Sequence, residues 1–241
     1  MIAYSTIMKS VFRYYGGKFN QLKDIISILQ DRMNSFDAVV DVFGGSGKVL
    51  LNIPDEWRKM KIYNDIDSDL YVTFKVLQDP MKRNMLIKKL RVAFAHEKIF
   101  MEMRDKRYPG DVETAFRLIY LQTYSFMGDG RSFGRRFKGN THMSRFTIEN
   151  FVYVRDWTIE HMDFRDLMKR YSKPKVLFYL DPPYLSSGKK YRSIEKGKEL
   201  KLITTAIDNS SYPNRNMVNL TEKGRKMGDK ILEMLEILNS D

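Results

Sequence analysis

The chain has 241 residues, with 42 Lys and Arg against 30 Asp and Glu for a formal charge of +12, 43% apolar and 13% aromatic residues, and no cysteine. The length suits one sizeable domain with or without a smaller appended piece, and the apolar content suffices for a packed core, which excludes a disordered polycation. Absence of cysteine removes disulfides, thiolate metal sites and cysteine nucleophiles. No apolar run nears the roughly 20 residues that span a bilayer, and the amino terminus lacks the pattern of a secretory signal. A soluble, unexported, cytoplasmic protein with a polyanionic partner is expected.

In chain order, Leu22, Ile25, Ile26, Ile28 and Leu29 predict a helix from Asn20 to Met33. The nearly continuous apolar run Ala38 to Phe43 predicts a buried parallel strand that stops at a glycine-rich turn. Lys61 to Asn64 reads as a shorter strand and Leu70 to Leu77 as the helix after it. From Lys75 to Tyr108 ten Lys and Arg stand against four acids, a pattern that suits either a groove binder or a solvated helix face. Asp111 to Phe126 predicts a helix, and Gly128 to Asn140 is too glycine-rich for a regular element, so a mobile basic loop is expected there. Val176 to Leu180 repeats the buried-strand pattern. Alternating helices and strands of this kind imply an α/β sheet.

Two segments carry chemistry. In Asp41-Val42-Phe43-Gly44-Gly45-Ser46-Gly47 a strand turns into the next element through glycines, as it must where a ligand approaches backbone or φ is positive; the turn serves either an adenosyl group or structure alone. About 20 residues on stand Asp65 and Asp67, where a Rossmann-like sheet places an acid for ribose hydroxyls. In Asp181-Pro182-Pro183-Tyr184 two prolines fix φ and remove two donors, aiming carbonyls rigidly at the carboxyl end of a strand. A carboxylate and a carbonyl side by side accept both hydrogens of an exocyclic amine, and Tyr184 offers a flat face for a base. His96, His142 and His161 have no metal-ligand spacing, so no metal site is expected.

Tyr14-Tyr15-Gly16-Gly17-Lys18, the Asp41 to Gly47 turn, Asn64-Asp65-Ile66-Asp67, Met162-Asp163-Phe164 and Asp181-Pro182-Pro183-Tyr184, in this order, resemble the Dam-type DNA adenine-N6 methyltransferases from about Arg13 to Tyr184. The resemblance implies a Rossmann-like methyltransferase sheet with an inserted helical and loop target-recognition region, S-adenosylmethionine as cofactor and double-stranded DNA as partner, acting as a monomer. By the same resemblance the cofactor is bound by Tyr14, where the family more often has Trp, and by Lys18, Asp41, Phe43, Gly44, Gly47, Asp65, Asp163, Phe164 and Asp181. Asp181, Pro182, Pro183 and Tyr184 are the implied catalytic pocket. Arg131, Arg135, Arg136 and Lys138 fall in the implied recognition region and are candidates for phosphate contacts, with Phe133 or Phe137 filling the space of a flipped base or anchoring the loop. Lack of cysteine fits methylation of an exocyclic amine rather than thiolate-dependent methylation of a cytosine ring.

This reading divides the chain into a catalytic core at 1–75 and 150–207, a target-recognition insertion at 76–149 and a tail at 208–241. Only 241 − 184 = 57 residues follow Tyr184, and one βαβ unit takes about 30, so the carboxyl end reads as shortened. Leu200 to Ile207 and Met217 to Leu220 are candidate strands and Glu222 to Leu238 a candidate helix; Asn214 to Gly224 also resembles the wing of MarR-type winged-helix regulators. Two alternatives therefore stay open: a catalytically impaired DNA-binding relative, and a cytosine-N4 DNA methyltransferase.

Overall fold

The computed structural model describes residues 10–12, 14, 22–33, 35–54, 56–134, 154–172, 175–181 and 205–208. Among these, five strands form one sheet: β1 (Ala38–Asp41), β2 (Met60–Asn64), β3 (Thr158–Glu160), β4 (Val176–Leu180) and β5 (Thr205–Asp208). The order is β3-β2-β1-β4-β5, with the first four parallel and β5 antiparallel to β4. β1 is paired on both sides, Asp41 facing Tyr63 in β2 and Tyr179 in β4. The chain runs outward from β1 through β2 to β3, then returns to the other side of β1 as β4. The topological switch point therefore lies between β1 and β4, and in open α/β sheets ligands bind outside the carboxyl ends of the strands there.

A parallel sheet is covered on both faces, and the side-chain alternation of two shows how. Val39, Leu177 and Tyr179 face the larger core with α1 (Leu22–Met33), α2 (Lys48–Asn52) and α3 (Ser68–Gln78). Ala38, Val40, Ile62, Val176, Phe178 and Leu180 face the smaller one, closed by Leu167 and Met168 of α7 (Phe164–Arg170). The helices α4 (Pro80–Val92), α5 (Glu97–Asp105) and α6 (Asp111–Tyr124) extend the larger core through Leu86, Leu90, Phe100, Leu118 and Leu121.

The basic stretch from Lys75 to Tyr108 is thus mostly two helices with apolar inner faces. α4 starts where Asp79 accepts hydrogen bonds from the backbone N–H of Met81 and Lys82, with Pro80 at the first helical position. α3 is capped in the same way by Asp67, which accepts from Asp69 N at 2.9 Å. The helix expected over Asp111 to Phe126 stops at Tyr124, because Ser125 adopts extended backbone. The expected strand at Leu200 to Ile207 is observed as Thr205–Asp208, pairing with β4. The candidate strand at Met217 to Leu220, the helix at Glu222 to Leu238 and the winged-helix resemblance lie outside the described residues.

Candidate active site

The turn after β1 is closed by aromatic rings. Gly45 and Gly47 have φ of 51° and 66°, in the left-handed region where a side chain is strained. A Cβ on Gly44 would lie 2.2 Å from the Tyr63 ring, and one on Gly47 would lie 2.8 Å from Phe74 and 3.2 Å from Trp157. Tyr14 covers the outer side, its ring 3.1 Å from where a Cβ of Gly45 would be. The backbone of the turn is tied down as well. Gly44 N donates to Asn64 O at 2.8 Å, Gly47 N to Gly44 O at 2.8 Å, and the Tyr63 hydroxyl to Gly45 O at 2.8 Å.

Asp65 stands at the end of β2 and locks onto this turn. Its Oδ2 accepts from Gly45 N and its Oδ1 from Asp67 N, both at 2.9 Å. Burial pushes its carboxyl up to about 6, while those two backbone N–H groups and His161 pull the other way. Asp41 lies deeper, 2% exposed, and is raised well above the usual carboxylate range by burial and then by the negative charges of Asp181 and Asp65. Its Oδ1 accepts no hydrogen bond among the described residues. Three carboxylates from β1, β2 and the end of β4 therefore converge at the switch point. Among the described residues no group of three or more His, Asp or Glu is placed to hold a metal ion.

The far wall comes from the connection between β3 and α7. Asn64 joins it to the β1 turn: its Nδ2 donates to Val42 O at 3.0 Å and Met162 O at 3.1 Å, and its Oδ1 accepts from Met162 N at 3.0 Å. Asp163 caps α7 by accepting from Arg165 N and pairs with the Arg165 side chain. Phe164 meets Phe43 at 5.7 Å between ring centroids, so the two rings touch and form one apolar wall rather than two separated plates.

The sequence candidates divide accordingly. Tyr14, Asp41, Phe43, Gly44, Gly47, Asp65, Asp163, Phe164 and Asp181 belong to the β1 turn, the ends of β2 and β4, or the start of α7. Lys18, Pro182, Pro183, Tyr184, Arg135, Arg136 and Lys138 lie outside the described residues. Sequence reasoning gave no site role to Tyr63, Asn64, Trp157 or His161, although Asn64 stands in one of the motifs. Asn64 had a readable signal, a polar residue closing an apolar strand. Trp157 had none, since it sits alone between charged neighbours and a three-residue strand.

Arg131 belongs to a second ordered turn after α6. Of the loop expected over Gly128 to Asn140, residues up to Gly134 are described, and the segment from Ser125 to Gly134 is tied at both ends, Phe126 N donating to Ser132 O at 2.7 Å and Gly134 N to Tyr124 O at 2.8 Å; Arg135 to Asn140 lie outside the described residues. Phe133 packs on Phe100 with ring centroids 5.5 Å apart, which gives it the anchoring place. A buried ion pair joins α3 to α6. Asp69, in the first turn of α3, meets Arg107 at 2.7 Å and the 7% exposed Arg117 of α6 at 3.4 Å. The Arg117 guanidinium also donates to the carbonyls of Met103, Arg104 and Lys106, satisfying the carboxyl end of α5.

Comparison with known proteins agrees with this architecture. The sequence is 26% identical over 207 residues to the modification methylase StsI of Streptococcus sanguinis, a match covering 79% of this chain and 31% of that protein. The chain thus spans about a third of the length of that relative. Residues 14–201, which hold both the β1 turn and the Asp181 motif, match the D12 class N6 adenine-specific DNA methyltransferases, and the chain belongs to that family.

Proposed function

We propose that this chain transfers a methyl group from S-adenosylmethionine to N6 of adenine in double-stranded DNA. The observation that carries the reading is the place of Asp181, immediately after β4 at the switch point and close enough to Asp41 to raise its pKa. Family membership supports the substrate class.

The residues present fit the cofactor. Rings fill the space that Cβ atoms on Gly44 and Gly47 would need, so the tight backbone course of the turn is kept only with glycine there. Asp65 keeps lone pairs beyond the two that its backbone donors use, enough for ribose hydroxyls. Asp41 adds a buried acid whose ionised form a cationic ligand would favour. Phe43 and Phe164 supply an apolar wall for the adenine ring, with Tyr14, Lys18 and Asp163 completing the site.

S-adenosylmethionine supplies a methyl group made electrophilic by its bond to a sulfonium. The N6 lone pair of adenine is delocalised into the ring and is weakly nucleophilic. Asp181 and the Pro182 carbonyl accept the two N6 hydrogens, which localises the lone pair and aims it in line. Pro183 keeps the carbonyl rigid, and Tyr184 stacks on the base. Asp181 would take the proton that N6 gives up on methylation and pass it to solvent. The target base must first leave the stack at a cost of a few kcal/mol, which phosphate contacts from Arg131, Arg135, Arg136 and Lys138 help to offset.

In this reading 76–149 is the target-recognition insertion, 1–75 with 150–207 the catalytic core, 208–241 a tail, and the active unit a monomer in the cytoplasm. Among the described residues no helix is long and apolar enough to cross a membrane. The test is transfer of a labelled methyl group from S-adenosylmethionine to unmethylated duplex DNA. Incorporation is expected, and binding of DNA without incorporation would favour a catalytically impaired relative.

A further inference from the structure

The pairing of β2 with β3 ends at Asn64 and Glu160, and beyond it side chains take over from the ladder. Asn64 reaches across to both backbone groups of Met162, and His161 reaches back, its Nδ1 lying 2.9 Å from Asp65 O. A carbonyl oxygen only accepts, so Nδ1 carries the proton and donates it. The same ring stacks on Tyr71 of α3, with centroids 5.0 Å apart and planes 22° from parallel. His161 is exposed and belongs to neither hydrophobic core, so its contacts serve the turn that carries Asp65. That turn leaves the sheet at Asn64 and enters α3 through the Asp67 cap, and Ile66 at its middle is 49% exposed. Within it Asp65 Oδ1 accepts from Asp67 N, a local loop whose shape depends on the plane of the Asp65–Ile66 peptide. The carbonyl in that plane is the one His161 holds.

We infer that His161 is a positioning residue for the ribose of the cofactor: donating to the Asp65 carbonyl and braced on Tyr71, it sets the direction in which the Asp65 carboxylate meets the ribose hydroxyls. The inference rests on the S-adenosylmethionine-dependent reading above and states how that site is held. Two backbone N–H groups fix the carboxylate, and they differ in support. Gly45 N belongs to a turn packed under aromatic rings, whereas Asp67 N belongs to the segment beside the exposed Ile66. His161 and Tyr71 tie that second segment to the end of β3 and to α3. Hydrogen bonds weaken steeply as they bend, so a small rotation of the Asp65–Ile66 peptide weakens the grip on hydroxyls without unfolding the chain. A positive charge on His161 also favours the ionised form of Asp65, against the burial that disfavours it.

The test measures by calorimetry the affinity of the intact chain and of His161→Ala, His161→Asn and His161→Gln for S-adenosylmethionine and for its analogue lacking both ribose hydroxyls. The intact chain should prefer the hydroxylated ligand. His161→Ala should bind S-adenosylmethionine about tenfold less tightly and the analogue within about twofold of wild type, so the preference falls by nearly the same factor. Asn carries an N–H where the imidazole carries Nδ1–H and should restore the preference to within about threefold, whereas Gln, whose N–H stands where Nε2 does, should not. Melting temperatures of the three variants should stay within about 2 °C of wild type. An unchanged preference in His161→Ala, whether both affinities fall together or neither falls, overturns the inference, as does rescue by Gln in place of Asn. If the intact chain binds neither ligand, the S-adenosylmethionine reading fails and the inference with it. Binding by the intact chain without preference for the hydroxyls leaves that reading standing and removes the ribose role of Asp65, and with it that of His161.

Discussion

Two tight turns of this protein use positive φ in opposite ways, one on glycine and one partly on a large side chain. The turn at Gly44 to Gly47 points inward: its positive φ values fall on glycine, and the rings of Tyr14, Tyr63, Phe74 and Trp157 leave no room for a side chain. The turn at Phe126 to Gly130 points outward, and one of its positive φ values falls on Met127, a large side chain left exposed. The first is built from what surrounds it, whereas the second is held by its own polar groups, Ser125 and Asp129. Packing of these rings excludes side chains from the first turn. The second turn displays them.

The largest loss is expected at the ion pair between α3 and α6. Replacing Asp69 by Ala removes the carboxylate that balances the buried Arg117 guanidinium, and breaking a buried pair in this way costs about 3–5 kcal/mol. Chemical denaturation should show a loss of that size; a loss below about 1 kcal/mol would mean that α3 and α6 are held independently of the pair.

Gly44→Ala tests the inward turn by forcing a methyl group onto the Tyr63 ring, with an expected loss of about 1–3 kcal/mol in thermal unfolding. Pairing it with Tyr63→Leu should recover part of that loss, and simple additivity of the two changes would deny the contact.

Asp65 makes the same turn sensitive to pH. Its carboxyl titrates near 6 in the folded chain against an ordinary value of about 3.9, so between these values the native state binds more protons than the unfolded one. Stability of the cofactor-free protein should therefore fall as pH rises from about 4 to 6. Affinity for S-adenosylmethionine should rise over the same window, because the carboxylate accepts from hydroxyls better than the acid does. Asp65→Asn should flatten both curves; an Asn variant with unchanged slopes would move the titration to another group.

The smallest effect is expected at the outward turn. Met127→Gly relieves a left-handed residue and buries nothing less, so stability should stay within about 1 kcal/mol of wild type or improve. A loss above about 2 kcal/mol would show that the Met127 side chain supports the turn after all.

Much of this arrangement is legible in the sequence. β1 and β4 stand out because both their faces are buried, which produces continuous apolar runs, and the glycine and proline turns mark where they stop. The place of Asp65 at the end of β2 is legible because a Rossmann-like sheet often carries an acid there. β3 is not legible, since three residues carry no period, and α7 is short for the same reason. α4 and α5 are concealed by their many Lys and Arg, which occupy outer faces while Leu86, Leu90 and Phe100 point inward. The order of the Ser125 to Gly134 turn is hidden because glycine content signals irregular backbone, and only tertiary contacts decide whether that backbone is tied. The roles of Tyr63 and Asn64 come from contacts across the sheet, which no local pattern encodes.

The central claim is that Asp181 presents an acceptor to the N6 amine of adenine in DNA. It is tested most directly by digesting duplex DNA to nucleosides after incubation with S-adenosylmethionine and either the intact chain or Asp181→Ala. The account predicts N6-methyladenine with the intact chain and, for the variant, a loss of about a thousandfold or more with DNA binding retained. N4-methylcytosine as the product, or substantial N6-methyladenine from the variant, would contradict it.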